Sequence, residues 1–321
     1  MRGHAFITAI FGLLLASGGV HAQDKYPVKP IRMIVPFPPG GQADIVARMV
    51  TQKLTDHFKQ PVVVDNRPGA GGTIGTEAAV RANPDGYTML IASSTHAANA
   101  AFTKLPYDPV NDVAPISLLA EAPFVMTLHA SLPVKSIKEL IAYDKANPGK
   151  LNYGTAGTGS TTHLATELFN RMAGTRLAHV PYKGTSLALN DLIGGQIQLV
   201  CLSMPVAIPQ IKTNRIRGIA VTSAKRSNAV PDIPTVAETV PGFEATGWYV
   251  VFGPKGLPQE IVGRWNNELN RILQLPDVKE RMAADSLEPV GGPPERFGEV
   301  LKRDIAKWQK VVKTGNIKAG I

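Results

Sequence analysis

The sequence predicts an α/β fold built as two lobes, and three observations predict it. Short β-branched runs alternate with amphipathic helical stretches through glycine-bearing loops, the pattern of parallel α/β layers rather than of a helical bundle or a β-sandwich. The same alternation restarts after Pro123. The chain has 321 residues, which is length for about two domains. With 44% hydrophobic and 18% charged residues it can bury a sizeable core, which excludes compositional disorder. Its 30 glycines and 26 prolines specify an excess of turns, and its net charge of +9 favours anionic partners without choosing among them.

Residues 1–22 read as a secretion signal: Arg2 starts it, an apolar run covers residues 5–20, and Val20-His21-Ala22 offers a small-residue cleavage site after Ala22. Gly12, Ser17, Gly18 and Gly19 interrupt that run, which falls short of the roughly 20 residues a membrane span needs. Cys201 is the one cysteine, so none stands at the cleavage site to carry a lipid and no intramolecular disulfide forms. Between Val200 and Leu202 its thiol is expected to be buried and inert.

The β-branched run Ile31–Val35 predicts a buried strand that ends in Pro36-Phe37-Pro38-Pro39-Gly40-Gly41. Ile45, Val46, Met49, Val50, Leu54 and Phe58 then recur with helical spacing and leave Arg48, Gln52, Lys53 and Asp56 on the wet face. A strand at 62–64, turns at 66–72, a short helix near 76–82 and a strand at 87–92 follow. After Pro123 come a strand at 124–128, a helix at Ile137–Ala146, a strand at 151–153, a glycine-rich loop at 154–160 and a helix at 164–172. A strand at 179–181, a helix at 187–193 and strands at 197–202 and 216–222 complete the second unit. Beyond the proline-rich 231–241, a strand at 248–252 leads into about 60 residues of helices with one short strand, expected to return to the first lobe. The boundaries expected are 23–122 with 248–321 for lobe 1 and 123–247 for lobe 2, with two connecting segments between them. Lobes joined this way can hinge.

Two loops carry chemistry. The segment 36–44 lies between the C-terminal end of a strand and the start of a helix, where α/β folds place ligands. Gly40 and Gly41 let backbone N–H groups approach a ligand, and the unsatisfied N–H groups of the first helical turn favour negative charge. Gln42 and Asp44 would tune selectivity and orient this loop, and Phe37 would pack on an apolar ligand body. A plain turn with Asp44 complementing the helix dipole is the structural alternative. The segment 153–163 repeats the device with hydroxyls added: Thr155, Thr158, Ser160 and Thr161 can donate to oxygens, while Ala156 stands among Gly157, Gly159 and Gly154. Ser160 or Thr161 also fits a helix N-cap. His96, after Ser94 and Thr95 at the end of the third strand, could reach a cleft.

Other chemistries fit poorly. The glycines at 154, 157 and 159 run opposite to a dinucleotide fingerprint, and no phosphate-binding G-x-x-x-x-G-K-[ST] occurs. Gly159-Ser160-Thr161 lacks the glycine pair of a nucleophile elbow, so a secreted hydrolase using His163 with Ser160 or Thr158 is disfavoured. His163 and Glu167 are four apart but no third metal ligand is evident, and a hydrogen-bonded histidine beside the loop is the better reading. Basic residues are dispersed, and the group Lys302, Arg303, Lys307, Lys310 and Lys313 reads as a solvated helix face rather than a nucleic-acid surface.

From Tyr26 to about Lys318 the chain resembles the Bug family of extracytoplasmic solute receptors, which serve tripartite tricarboxylate transporters. The resemblance rests on ordered markers: Tyr26-Pro27, Lys29-Pro30-Ile31, Val35 through Asp44, Asn66-Arg67-Pro68-Gly69-Ala70-Gly71-Gly72 and Asn83-Pro84-Asp85-Gly86-Tyr87-Thr88. Leu105-Pro106-Tyr107-Asp108-Pro109, Tyr153 through His163, His179-Val180-Pro181-Tyr182-Lys183-Gly184 and Pro234-Thr235-Val236-Ala237-Glu238 continue it. It implies a type II periplasmic-binding-protein fold, two α/β lobes closing over a small carboxylated solute in the periplasm, without cofactor or metal, as a monomer that delivers its ligand to membrane subunits. It also implies that Ser94 to His96, Tyr182 and Lys183, and Ser203 complete the pocket. Many relatives carry an acid near Ser203, and its absence here counts against an amino-acid ligand, whose ammonium would want a carboxylate. A sensor subunit that presents ligand to a signalling protein is the other role the sequence leaves open.

Overall fold

The computed structural model describes residues 26–315 and residue 317. The expected secretion signal at 1–22 lies outside the described residues. The first predicted strand is β1 (Ile31–Val35), buried at every position except Arg32. α1 (Gln42–Phe58) follows and buries Val46, Ala47, Val50, Leu54 and Phe58, the face its spacing predicts. β2 (Val62–Asn66), α2 (Thr73–Val80), β3 (Thr88–Ser93) and α3 (Thr95–Phe102) complete the first alternation. β4 (Val113–His129) leads to α4 (Ile137–Ala146), whose N-cap Ser136 accepts a hydrogen bond from the Glu139 N–H. Then come β5 (Asn152–Thr155), α5 (Thr161–Ala173), β6 (Ala178–Pro181), α6 (Thr185–Ile193), β7 (Leu199–Ser203), α7 (Met204–Lys212) and β8 (Ile216–Val221). The chain ends through β9 (Thr246–Pro254), α8 (Gln259–Ile272), α9 (Pro276–Ala284), β10 (Glu288–Pro289) and α10 (Glu295–Gly315).

The strands run in the order β2-β1-β3-β9-β4-β7-β5-β6, with β8 and β10 each paired to β4. β2-β1-β3 and β6-β5-β7 are parallel, as the alternation predicts. The strands between them are antiparallel, so the sheet is mixed. β4 accounts for this. Its residues 113–123 pair with β9, and from Phe124 onward it pairs with β7 and β8, so one strand passes from one sheet to the other between Pro123 and Phe124. Sequence patterning exposed only its second half, because Pro115, Ser117 and Pro123 interrupt the apolar alternation. The structure absorbs Pro115 at a register shift between Pro115 and Ser117, where a proline costs no ladder bond.

Two helices escaped prediction for local reasons. α3 is a short alanine-rich segment, THAANAAF, without a clear stripe. α7, MPVAIPQIK, carries Pro205 in its first turn and Pro209 inside, and reads as loop. α8 packs on β4 and α1, and α10 packs on α3, β4 and α5. Trp248, Trp265 and Trp308 are fully buried there, and the Trp248 indole donates to Asp304 Oδ2 at 2.7 Å.

Candidate functional site

Five helices start around one cleft: α1 after Gly41, α3 after Ser94, α5 after Ser160, α6 after Gly184 and α7 after Ser203. All five follow the C-terminal end of a strand or its loop, at the ends of β1, β3, β5, β6 and β7. Their first residues line one space, so their positive termini border it. Only α5 has a side-chain cap, in which Ser160 Oγ accepts from the His163 N–H at 3.3 Å; α1, α3, α6 and α7 begin with none. Four helix starts therefore carry N–H donors that nothing in the chain's own capping satisfies.

The cleft holds about 500 Å³, part of it open to solvent. Its walls are Phe37, Pro38, Phe124 and Tyr249 on the apolar side and Ser93, Ser94, Thr95, Thr161, Thr162, Thr185, Ser186 and Ser203 on the hydroxyl side. Gly41, Gln42, Ala43, Ala156 and Gly184 complete the lining. No lining side chain is charged. Recognition here must work through dipoles and hydroxyls, and a small anion with an apolar body matches that combination.

The two sides of the cleft touch. An added Cβ on Gly184 would lie 2.5 Å from Pro38 Cδ, and one on Gly71 would lie 3.1 Å from the Thr158 carbonyl oxygen. Deeper in, Ser94 Oγ and Thr161 Oγ1 are 2.9 Å apart, and the Thr161 N–H donates to Thr95 Oγ1 at 3.3 Å.

Of the residues singled out from sequence, Phe37, Gly41, Gln42, Ser94, Thr95, Ala156 and Ser203 line the cleft. The others stand around it. Pro39, Gly40, Thr158 and Lys183 are exposed on the rim. Asp44 is buried and turned away from the cleft, its carboxylate accepting from the Gly40 N–H at 3.0 Å, Arg48 Nε at 2.9 Å and Asn66 Nδ2 at 3.0 Å. Burial alone would raise its pKa, but the bonds from Arg48, Gly40 and Asn66 hold the carboxyl below its ordinary range. Of the two functions expected of Asp44, it performs the orienting one, holding the 36–41 loop to the helix.

His96 does not reach the cleft from the end of β3. It sits inside α3, stacked on Tyr107 with centroids 5.9 Å apart and Nε2 on the Pro109 carbonyl at 2.8 Å, and burial pushes its pKa down to about 4. The helix starting at Thr95 carries it into the core. Tyr182 likewise turns away, its hydroxyl donating to Asp191 Oδ2 at 2.6 Å.

Behind the second loop, Thr155 Oγ1 is 2.7 Å from His179 Nε2 and accepts from the Gly157 N–H at 3.2 Å. His163 Nδ1 accepts from the Gly159 N–H at 3.2 Å, and its ring stacks on His179 with centroids 4.1 Å apart. Burial and then the neighbouring His179 push the His163 pKa down to about 3. The imidazole is thus a neutral brace for the loop. Ser160 Oγ lies 3.2 Å from Thr162 Oγ1 and caps α5, so Ser160 and His163 form a backbone-capping pair and not a nucleophile with its base.

Sequence reasoning missed Thr185 and Ser186, although Gly184-Thr185-Ser186 repeats the glycine-hydroxyl device at a third helix start. Phe124 and Tyr249 gave no signal: Phe124 stands where β4 passes from one sheet to the other, and Tyr249 lies in β9, between β3 and the first half of β4. Cys201 is buried in β7 as expected, with burial raising its thiol to about 12. Among the described residues no group of acidic, histidine or cysteine side chains could hold a metal, and no helix is long and apolar enough to cross a membrane.

Residues 46–317 match the family described as tripartite tricarboxylate transporter family receptor. The protein BugT of Bordetella pertussis is 37% identical over 314 residues, covering 96% of each chain. Among solved structures, the periplasmic binding protein BugD is 35% identical with a TM-score of 0.88, covering 91% of this chain and 99% of that one. The R. palustris protein Rpa4515, solved with adipate, is 36% identical with a TM-score of 0.89 over the same shares, 91% and 99%. The fold is that of the periplasmic binding proteins, with β4 passing from one sheet to the other.

Proposed function

This chain belongs to the tripartite tricarboxylate transporter receptor family, and from that premise we propose that it is a periplasmic receptor that captures a small organic carboxylate between its lobes and hands it to the membrane subunits of such a transporter. The observation that carries the reading is the convergence of four uncapped helix starts on a cleft with no charged side chain. Free N–H dipoles and hydroxyls suit a carboxylate, and Phe37, Phe124 and Tyr249 suit the carbon chain behind it. Adipate in the related Rpa4515 supports the same ligand class.

In this reading residues 1–22 direct secretion and are cleaved after Ala22, leaving an unlipidated monomer. Lobe 1 comprises 23–122 and 248–321, lobe 2 comprises 123–247, and ligand draws them together about two crossings, one in β4 and one leading into β9. Phe37, Gly41, Gln42, Ser94, Thr95, Ala156 and Ser203 contact the ligand, joined by Thr161, Thr162, Thr185 and Ser186. Gly40, Asp44, Thr155, Gly157, Gly159, Ser160 and His163 shape the loops that do so.

The test is isothermal titration of the mature chain with mono-, di- and tricarboxylates, aliphatic and aromatic. At least one binds with a Kd in the micromolar range or below, and Gly41→Val weakens it. If none binds, the reading is wrong.

A further inference from the structure

Ser286 holds a left-handed backbone, φ +55°, in the turn between α9 and β10. The turn is a Schellman motif, in which the Ser286 N–H donates to the Ala283 carbonyl at 3.1 Å and the Leu287 N–H to that of Met282 at 2.8 Å. Glycine suits this position best, because any Cβ there crowds the following carbonyl oxygen. A serine held against that strain directs attention to its hydroxyl, the group that glycine and alanine both lack.

That hydroxyl is bonded. Ser286 Oγ lies 2.6 Å from Ser227 Oγ, at the short side of the range for two hydroxyls. Ser227 stands in the loop after β8, and its Oγ also accepts from the Ala229 N–H at 3.2 Å, which fixes its position. The two serines belong to different parts of the fold. β8 pairs with β4 from Val125 onward, whereas β10, which follows Ser286, pairs with Ala120 and Glu121. The bond therefore ties the flanks of the two halves of β4 across the place where that strand passes from one sheet to the other.

A second cavity of about 980 Å³, partly open to solvent, lies at this place. Glu121, Ala122 and Pro123 of β4, Thr246 at the start of β9, the 223–229 loop and the 286–289 turn line it. Both serines are in that lining, so their bond spans a gap and not a packed core. Neither lines the ligand cleft. In this structure the rims of the ligand cleft touch, Gly184 against Pro38, so the bond belongs to the closed arrangement. Two hydroxyls at 2.6 Å that part by about 1 Å are no longer hydrogen-bonded.

We propose that Ser227 and Ser286 form a hinge clasp that favours the closed receptor, so that two hydroxyls outside the ligand cleft set part of the ligand's affinity. This rests on the receptor reading above, in which ligand draws the lobes together. A ligand captured by closure binds more tightly whenever closing costs less. One neutral hydrogen bond changes the closing equilibrium by about 2- to 12-fold.

The experiment is calorimetry on wild type, Ser227→Ala, Ser286→Ala and the double variant, with succinate, adipate, citrate and benzoate as probes. The comparison uses the probe that wild type binds most tightly. Each single variant weakens it by about 2- to 12-fold, and the double variant weakens it no further, because either substitution alone opens the clasp. Ser286→Gly weakens it equally and melts no lower than wild type, since glycine relieves the left-handed backbone. Single variants within about 1.5-fold of wild type, single variants that bind more tightly, or losses that multiply in the double variant overturn the clasp and leave the receptor reading standing. A lower melting temperature for Ser286→Gly does the same, because it makes the serine a folding requirement of its turn. A wild type that binds none of the probes overturns both.

Discussion

Gly184 and Pro38 meet across the cleft, and replacing Gly184 by alanine tests whether that contact belongs to ligand capture. The added Cβ would lie 2.5 Å from Pro38 Cδ and 2.7 Å from Pro38 Cγ, whereas carbon atoms rest about 3.5–4.0 Å apart. A proline ring has no rotamer to swing away, so the rims must part by about 1 Å. Overpacking of that kind costs about 1–3 kcal/mol. In an open protein the clash with Pro38 is gone and only the backbone strain of a side chain at Gly184, φ +159°, remains, so the clash falls on the closed state. Ligand affinity then drops by roughly 5- to 150-fold, the equivalent of that energy, while the free protein loses only the smaller backbone strain. Calorimetry with the tightest carboxylate and a thermal scan of the free protein measure the two quantities. Binding within twofold of wild type would refute the reasoning, and so would an equal loss in the thermal stability of the free protein.

Gly263 stands in α8 with no atom within 4 Å of an added Cβ, so Gly263→Ala leaves binding unchanged and stabilises by about 0.5–1 kcal/mol, read as a higher melting temperature. Asp44→Ala frees the Gly40 N–H, Arg48 and Asn66 together; it costs about 2–4 kcal/mol in urea unfolding and weakens every ligand, because the 36–41 loop loses its tether. His163, held near pKa 3 by burial and by His179, makes folding acid-sensitive in a defined window. Below its ordinary pKa of 6.5 the unfolded chain takes up a proton that the native state refuses until about pH 3, so stability is full above pH 6.5 and falls by about 1.4 kcal/mol per pH unit beneath it. His163→Asn keeps an acceptor for the Gly159 N–H and removes the titration, so its loss between pH 7 and pH 5 is smaller by about 2 kcal/mol; an unchanged loss would contradict the assignment.

Loops announced themselves in the sequence and crossings did not. The glycines at 40–41 and 154–159 mark backbone that must turn sharply at a strand end, a local property that composition records. β4 needs no such mark. It is held by β9 and β10 in one half and by β7 and β8 in the other, so its prolines are tolerated by tertiary pairing that no window of sequence displays. For the same reason Phe124 and Tyr249 entered the cleft unannounced. His96 shows the converse error: next to Ser94 and Thr95 it looked like a site residue, and a single helical turn sends its ring into the core. Asp44 and His163 read as ligand residues because they are polar and adjacent, but each spends its polar atoms on the loop backbone.

The absence of charge in the cleft bears on how capture and release are balanced. A lysine or arginine on one lobe would attract a carboxylate to the open protein and hold it there, with little change on closing. Here the donors are split between the lobes: Gln42, Ser94 and Thr95 on the side of β1 and β3, and Thr161, Thr162, Thr185 and Ser203 on the side of β5 and β7. Neither set alone surrounds an anion. A ligand can shift the open–closed balance only by the difference between its affinities for the two states. In the proposed receptor, dividing neutral donors across the hinge ties closure to occupancy, and parting the lobes by the roughly 1 Å that one methyl at Gly184 demands loosens the grip.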